Sequence, residues 1–205
     1  MQRKIHVFDL DQTVINSDHR VKPLLDSDNN LDLQRYKDEA CKHELIQQDS
    51  LLPLATYMQQ LLQQGEIVVI CTARFMSKSD YVYLRKNGLR APLVLSRDQL
   101  HKHFQAELVN KIYNSSDSKY KGYYMDLLKA KFGNNSDFII YDDHQGVLAV
   151  AREKGFTAID ALQLNAMLDG AYRQGMEDME DQLYTENEEI IDCVMTSLLG
   201  NGCLA

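Results

Sequence analysis

Five short apolar runs, separated by segments with helical spacing, constrain the fold of this chain more than any other feature. The most informative of them, Ile67–Cys71, is a continuous β-branched run of the kind found in strands buried on both faces. The runs are Ile5–Phe8, Ile67–Cys71, Leu93–Leu95, Phe138–Tyr141 and Phe156–Ile159. Because helix-like segments separate them, right-handed crossovers would join parallel strands. The sequence therefore predicts an α/β protein with a three-layer, Rossmann-like parallel sheet.

Two segments fall outside this alternation and set the expected domain organisation. Residues 16–50 are too long for a simple connection after the first strand, and they predict a small helical cap with one irregular helix over 31–48. Residues 163–205 are acidic and rich in methionine, which predicts a helical C-terminal extension and a candidate surface for a homo-oligomer. The core is then expected to comprise residues 1–15 and 51–162.

Charge and hydropathy limit the partners that the chain is expected to have. The formal net charge of −8 disfavours long nucleic acids, whose phosphates need a broad basic surface, but it allows a nucleic-acid end or a small phosphorylated substrate. No apolar run approaches the roughly 20 residues that span a bilayer. The N-terminal residues lead directly into a strand, so we expect a soluble, cytoplasmic protein with no membrane partner.

Polar side chains follow the predicted strands at the edge where open parallel sheets bind ligands. Any one aspartate there would serve equally well as a turn or helix-capping residue. Several carboxylates together, however, repel one another unless a cation or a proton offsets their charge, and oxygen ligands favour Mg²⁺ when the substrate is a phosphate. The residues at these strand ends are Asp9, Asp11, Thr72, Arg74, Asp142 and Asp143.

At these residues the sequence resembles the haloacid dehalogenase (HAD) superfamily of phosphohydrolases. The resemblance spans residues 4–160 and departs from the family at Gln12, where members commonly have glycine. Four motifs carry it, namely Asp9–Thr13, Val69–Arg74, a lysine near position 121, and Ile140–His144.

The resemblance implies a mechanism with an aspartyl-phosphate intermediate. Asp9 would be the nucleophile, and Asp11 would protonate the leaving oxygen and then activate water. Thr72 and Lys121 would bind the phosphate. Lys119 is the alternative lysine, and Lys121 is preferred because we expect it in the first turn of a helix over 120–132 that faces the strand ends.

The resemblance also implies a Mg²⁺ site and a set of substrate contacts. Asp9, the backbone carbonyl of Asp11, and Asp143 would bind the metal ion, with Asp142 as a supporting acid at the same site. Substrate contacts or support of the substrate loop are expected from Thr13, Arg20, Ala73 and Arg74. For each arginine a structural ion pair is an equally good interpretation.

The order of motifs narrows the expected substrate. The layout looks like the 3′-phosphatase domain of phage polynucleotide kinase/phosphatases, and small deoxyribonucleotidases share parts of it. The matching features are Asp18-His19-Arg20, the segment Leu52-Pro53-Leu54 that leads into the next helix, and the later motifs. The acidic charge favours a nucleotide-type substrate for a Mg²⁺-dependent phosphomonoester hydrolase. A polynucleotide 3′-phosphatase and a non-catalytic binding or inhibitory protein on the same scaffold are the alternatives.

Overall fold

The five predicted apolar runs are the strands of one parallel sheet in the computed structural model, which describes residues 3–27, 31–169 and 189–198. The sheet strands are β1 (Lys4–Phe8), β4 (Ile67–Cys71), β5 (Leu93–Leu95), β6 (Asp137–Asp142) and β7 (Thr157–Asp160). Two short strands, β2 (Ile15–Asn16) and β3 (Ser50–Leu51), lie outside it. The order in the sheet is β5–β4–β1–β6–β7, which confirms the predicted α/β class.

Helices cover both faces of this sheet. Their bounds are α1 (Asp18–Val21), a 3₁₀ turn (Lys22–Leu24), α2 (Leu33–Arg35) with a π-helical turn (Tyr36–Ala40), α3 (His43–Ile46), α4 (Leu54–Gln63), α5 (Lys78–Lys86), a 3₁₀ turn (Arg97–Gln99), α6 (Leu100–His103), α7 (Ala106–Tyr113), α8 (Asp117–Phe132), α9 (Gln145–Glu153), α10 (Ala161–Leu168) and α11 (189–198).

Alternation along each strand divides the core into two layers. Phe8 of β1 packs with side chains of α4, α10 and α11, whereas Val7 packs with side chains of α8 and α9 on the opposite face. Both residues are fully buried, as a parallel sheet covered by helices requires. The three-layer arrangement predicted from the continuous apolar runs is therefore present.

The segment predicted as a cap begins and ends at a small antiparallel sheet, in which Ile15 pairs with Leu51. The helix expected over 31–48 is divided into α2 with its π-helical turn and the separate helix α3. Lys42 has extended backbone angles at the break, and the Arg20 guanidinium donates to the carbonyl of Ala40 at 3.3 Å. A side chain from outside the helix thus binds a terminal carbonyl that another turn would have used.

The lysine-bearing helix also differs from the expectation. α8 begins at Asp117 rather than Tyr120, because Ser116 occupies the N-cap position and its carbonyl accepts the Tyr120 N–H at 2.8 Å. Lys121 consequently lies in the second turn of α8 and not in the first. The short helices α6 and α7 precede it and were not predicted.

The predicted C-terminal extension is described only in part. α10 ends at Leu168 and α11 follows at 189–198, so most of the acidic residues of the extension, together with Met176 and Met179, lie outside the described residues. Val194 of α11 packs into the same core cluster as Phe8. No helix in the described ranges combines the length and apolar character needed to cross a bilayer. Self-association through the extension stays a prediction.

His6 on β1 is buried among aromatic side chains, and it makes stability depend on pH. Its Nδ1 lies 3.2 Å from the Tyr141 hydroxyl, and burial, assisted by the Lys4 charge, lowers the pKa of His6 from 6.5 to about 4. The folded state therefore resists protonation that the unfolded state accepts. As the pH falls from about 6.5 to 4, we expect this residue alone to remove about 3 kcal/mol from the free energy of unfolding.

Urea unfolding of the wild type and of His6→Gln across this pH range measures that contribution, because glutamine does not titrate. The difference in pH dependence between the two proteins should amount to the stated loss, while exposed His101→Gln should follow the wild type. Parallel pH curves for wild type and His6→Gln would contradict the assignment.

Candidate active site

The carboxyl ends of β1, β4 and β6 meet at one edge of the sheet and border a cavity of about 630 Å³. Such a volume is in the usual range for a small-molecule site. Of the residues predicted from the sequence, the cavity wall includes Asp9, Asp11, Thr72, Ala73, Arg74, Lys121 and Asp143. The parallel strands therefore bring together side chains that lie up to 134 positions apart in the chain, from Asp9 to Asp143.

Asp9 is at the centre of this arrangement. Its backbone N–H donates to the carbonyl of Tyr141 at 3.0 Å, which extends the β1–β6 pairing by one residue and fixes the side chain at the sheet edge. The residue is 6% exposed, and carboxylate oxygens of Asp9, Asp142 and Asp143 all lie within 4.8 Å of one another. Burial raises the pKa of Asp9, the Lys121 charge opposes that rise, and the neighbouring carboxylates add to it.

Lys121 is the cation at this cluster. Its Nζ lies 3.1 Å from Oδ1 of Asp9 and donates to Oδ2 of Asp142 at 2.6 Å. Burial alone would lower the pKa of Lys121, but the two carboxylates outweigh it and raise the pKa well above its ordinary value. Lys119 is exposed, so between the two candidates it is Lys121 that contacts the carboxylates.

The two aspartates after β6 have different surroundings. Asp142 is fully buried, and its second oxygen accepts the His144 N–H at 3.1 Å. Asp143 lines the cavity, and burial together with the Asp142 charge raises its pKa to about 6. His144 caps α9 by accepting the Gly146 N–H on its Nδ1 at 3.0 Å. Asp142 is thus occupied by protein donors, while Asp143 faces the cavity.

The loop after β4 is held by polar contacts on both sides. Thr72 is buried, its Oγ1 accepts the Arg74 N–H at 3.2 Å, and its carbonyl accepts the Tyr120 hydroxyl at 3.0 Å. The Ala73 carbonyl accepts Nε of Arg97 at 3.1 Å. Arg97 also donates to the Tyr113 carbonyl and to Asp117, so its guanidinium connects this loop to α7 and α8.

Arg74 binds Asp11 through two donors. Nε donates to Oδ2 at 3.0 Å and Nη2 donates to Oδ1 at 2.5 Å, while Nη1 donates to Asp80 at 2.9 Å. Ser17 donates its hydroxyl to the same carboxylate. Burial by itself raises the pKa of Asp11, but the charge and hydrogen bonds of Arg74 and the Ser17 bond lower it to about 2. Asp11 is therefore ionised in this structure.

Gln12, where the resembling family commonly has glycine, has a φ of 56°. Among the described residues it is the one non-glycine residue with positive φ, a conformation that glycine adopts without steric cost. Its side chain donates to Asp18 at 2.6 Å. Gln12 thus adopts a backbone conformation that glycine would adopt freely, and its side chain adds a contact to residues 16–50.

Two predicted substrate contacts lie away from the cavity. Arg20 is buried and donates to Asp49 through Nε at 2.7 Å and Nη2 at 2.8 Å, so the structural ion pair is the interpretation that the geometry favours. Thr13 is fully buried, and its carbonyl accepts the Asn165 side chain at 2.9 Å. The cavity wall formed by the described residues includes neither of them.

Sequence reasoning missed the aromatic and apolar side chains that line the same cavity. Phe75 and Tyr113 lie with ring centroids 5.9 Å apart, and Lys37 of the cap segment places its Nζ 4.1 Å from the Phe75 centroid and 2.8 Å from the Tyr113 hydroxyl. Tyr36, Val21 and Leu31 also line the cavity. Phe75 follows directly after Thr72-Ala73-Arg74, which was the one available signal, whereas no motif marks the cap residues.

Comparison with known proteins adds the family of the chain. Residues 1–200 match the family described as Bacteriophage T5 5′-deoxynucleotidase. The 5′-deoxynucleotidase of Escherichia phage T5 is 49% identical over 192 residues, which cover 90% of this chain and 78% of that protein. The chain belongs to the T5 5′-deoxynucleotidase family. This membership confirms that it is an enzyme, a phosphoric monoester hydrolase, and removes the non-catalytic alternative.

Solved structures similar to this member of the T5 5′-deoxynucleotidase family are more distant. A haloacid dehalogenase-like hydrolase from Streptococcus pneumoniae has a TM-score of 0.49 and 13% identity, covering 80% of this chain and 90% of that one. Another hydrolase, from Streptococcus pneumoniae TIGR4, has a TM-score of 0.48 and 14% identity, covering 82% of this chain and 100% of that one.

Proposed function

We propose that this protein removes the 5′-phosphate of deoxynucleoside monophosphates with Mg²⁺, using Asp9 as the nucleophile. The observation that carries the proposal is the cluster of Asp9, Lys121 and Asp143 at one end of a nucleotide-sized cavity in a member of this family. The T5 relative is a 5′-deoxynucleotidase, and the aromatic side chains Phe75 and Tyr113 that line the cavity suit a nucleoside.

The proposed reaction has two steps. In the first, a carboxylate oxygen of Asp9 bonds to phosphorus while the bond from phosphorus to the 5′ oxygen breaks, and Asp11 gives its proton to that oxygen. In the second, water bonds to phosphorus as the aspartyl phosphate breaks, and Asp11 takes the proton of the water. The ionised Asp11 paired with Arg74 is the form that the second step needs, so the first step requires Asp11 to gain a proton in the substrate complex.

The donor set fits a magnesium ion. Asp9 and Asp143 offer carboxylate oxygens within 4.8 Å, and Oδ1 of Asp9 is buried and, among the described residues, accepts no hydrogen bond beyond its ion pair with Lys121 at 3.1 Å. Asp9, Asp143 and the backbone carbonyl of Asp11 would hold the ion, while Asp142 supports the site through Lys121 and the His144 N–H. When bound, the ion offsets the charge of the phosphate and the carboxylates.

The phosphate is assigned to Lys121 and to the Thr72 loop, and the nucleoside to the cap side of the cavity. Residues 16–50 are assigned as a cap, since Val21 of α1, Leu31, and Tyr36 of the π-helical turn line the cavity. The rings of Phe75 and Tyr113 are assigned to the base, because aromatic faces stack on every nucleobase. A cap that closes over a small substrate leaves less room for a polynucleotide end.

Phe75→Ala tests the assignment of the base. Stacking on one aromatic side chain is worth about 1–3 kcal/mol, so KM for a deoxynucleotide should rise about tenfold while kcat changes little. Turnover of deoxyribose 5-phosphate, which carries neither a nucleobase nor an aromatic ring, should stay within about twofold of wild type. Phe132→Ala is the matched control. Phe132 is also half-buried, but it lies at the C-terminal end of α8 and does not line the cavity. Equal losses on both substrates would contradict the assignment.

A substrate panel assayed with Mg²⁺ tests the function itself. It contains deoxynucleoside and nucleoside 5′-monophosphates, the 3′-monophosphates, sugar phosphates and a 3′-phosphorylated oligonucleotide. The proposal expects the highest kcat/KM on the deoxynucleoside 5′-monophosphates and loss of turnover with EDTA. Preference for the oligonucleotide would favour the polynucleotide 3′-phosphatase hypothesis over the proposed one. Preference for sugar phosphates would contradict both hypotheses.

A further inference from the structure

Tyr36, at the start of the π-helical turn of the cap, lines the active-site cavity and carries a buried hydroxyl that lacks a strong hydrogen bond among the described residues. The residue is 4% exposed, yet it lines the cavity together with Asp11 and Arg74. Among the described residues its hydroxyl meets no oxygen or nitrogen partner, and its polar neighbour is the Cys41 thiol, a weak hydrogen-bonding group. A buried hydroxyl in this condition is expected to find a partner when the cavity is filled.

The backbone around Tyr36 supports a functional reading. The turn Tyr36–Ala40 is π-helical. Such turns are rare in proteins, and where they occur they often lie at functional sites. The Tyr36 hydroxyl is close enough to Arg74, Asp11 and Arg20 for their charges to act on it. Burial raises the pKa of Tyr36, so the hydroxyl stays neutral and can donate a hydrogen bond. Its ring packs on the other side against the cluster that contains Leu24, Ala40 and Phe75.

These contacts give the hydroxyl a place along the substrate, if the proposed function holds. In the proposed function, Asp11 exchanges a proton with the 5′ oxygen and Phe75 stacks on the base. Tyr36 is a neighbour of both residues. The part of a nucleotide between its 5′ oxygen and its base is the sugar, which in a deoxynucleotide carries one hydroxyl. We propose that the Tyr36 hydroxyl hydrogen-bonds the 3′-hydroxyl of the deoxyribose and so acts as a specificity-determining residue.

A cycle of two enzymes and two substrates tests the contact. Wild type and Tyr36→Phe are assayed on a 2′-deoxynucleoside 5′-monophosphate and on its 2′,3′-dideoxy analogue, with p-nitrophenyl phosphate as a substrate that has no sugar. On the deoxynucleotide, Tyr36→Phe should lower kcat/KM about tenfold. On the dideoxynucleotide and on p-nitrophenyl phosphate the change should be less than about twofold, because neither offers the partner.

Tyr57→Phe is the matched control, since Tyr57 is equally buried but lies under α11, with its hydroxyl 4.0 Å from Cys193. It should leave all three activities unchanged, and melting curves should show both variants folded. Equal losses of Tyr36→Phe on deoxy and dideoxy substrates, or no loss on either, overturn the contact. A wild type that hydrolyses p-nitrophenyl phosphate but no deoxynucleotide overturns the proposed function instead.

Discussion

Asp9→Asn is expected to lower kcat on deoxynucleotides and on p-nitrophenyl phosphate by at least about 10³-fold. The amide has the size of the carboxylate but lacks its negative charge and nucleophilic oxygen. It also leaves Lys121 with Asp142 as its remaining close carboxylate partner, at 2.6 Å. The loss should therefore appear with every substrate, whatever its leaving group, in steady-state assays with saturating Mg²⁺.

The control for this variant is Asp126→Asn, which removes the same charge from an exposed residue paired with Lys154. Its kcat should equal that of wild type, and the melting temperature of Asp9→Asn should be at least as high as that of wild type, since the repulsion among the carboxylates of buried Asp9, buried Asp142 and half-buried Asp143 is reduced. Activity of Asp9→Asn within tenfold of wild type would assign the nucleophile elsewhere.

Asp11→Asn is expected to separate the two steps of the reaction. On a deoxynucleotide kcat should fall by about 10²–10⁴-fold, because the poor leaving oxygen loses its proton donor. On p-nitrophenyl phosphate the leaving group needs no proton, so the first step should persist and the second, which has lost its base, should become limiting. Rapid-mixing experiments should then show a burst of nitrophenolate equal to the enzyme concentration.

Asp18→Asn serves as the control here, because Asp18 begins α1 close to this loop but pairs with Lys22 and Gln12 and does not line the cavity. It should show neither the burst nor the fall in kcat. A linear time course for Asp11→Asn, with equal losses on both substrates, would mean that Asp11 acts only through its ion pair with Arg74.

Much of the fold could be predicted because local patterns of apolar residues mark its strands and helices. Ile67–Cys71 has a continuous apolar pattern that suits a strand buried on both faces, and the observed strand has the same bounds. The structure of residues 16–50 was harder to predict. The break between Ala40 and His43 depends on Arg20, whose guanidinium binds Asp49 and the Ala40 carbonyl across the fold. No local pattern records such a tertiary contact.

The site residues also fall into those that a local pattern marks and those that depend on tertiary contacts. Asp9, Thr72 and Asp143 could be predicted because each follows a recognisable strand, and parallel strands end at one edge. The partners of Arg20 and Arg74 could not be, because an arginine at such a position suits a substrate phosphate and a buried aspartate equally well. Tyr36 was missed for another reason: its orientation depends on a π-helical turn that apolar spacing does not reveal.

Acid quenching of Asp11→Asn during turnover of p-nitrophenyl phosphate, followed by digestion at low pH and mass spectrometry, tests the central claim most directly. Acid preserves an acyl phosphate, and loss of the Asp11 base should let it accumulate. We predict one phosphoryl group on the peptide that contains Asp9, and none in the double variant with Asp9→Asn. A phosphoryl group on another residue, or a burst of nitrophenolate without any labelled peptide, would contradict catalysis through Asp9.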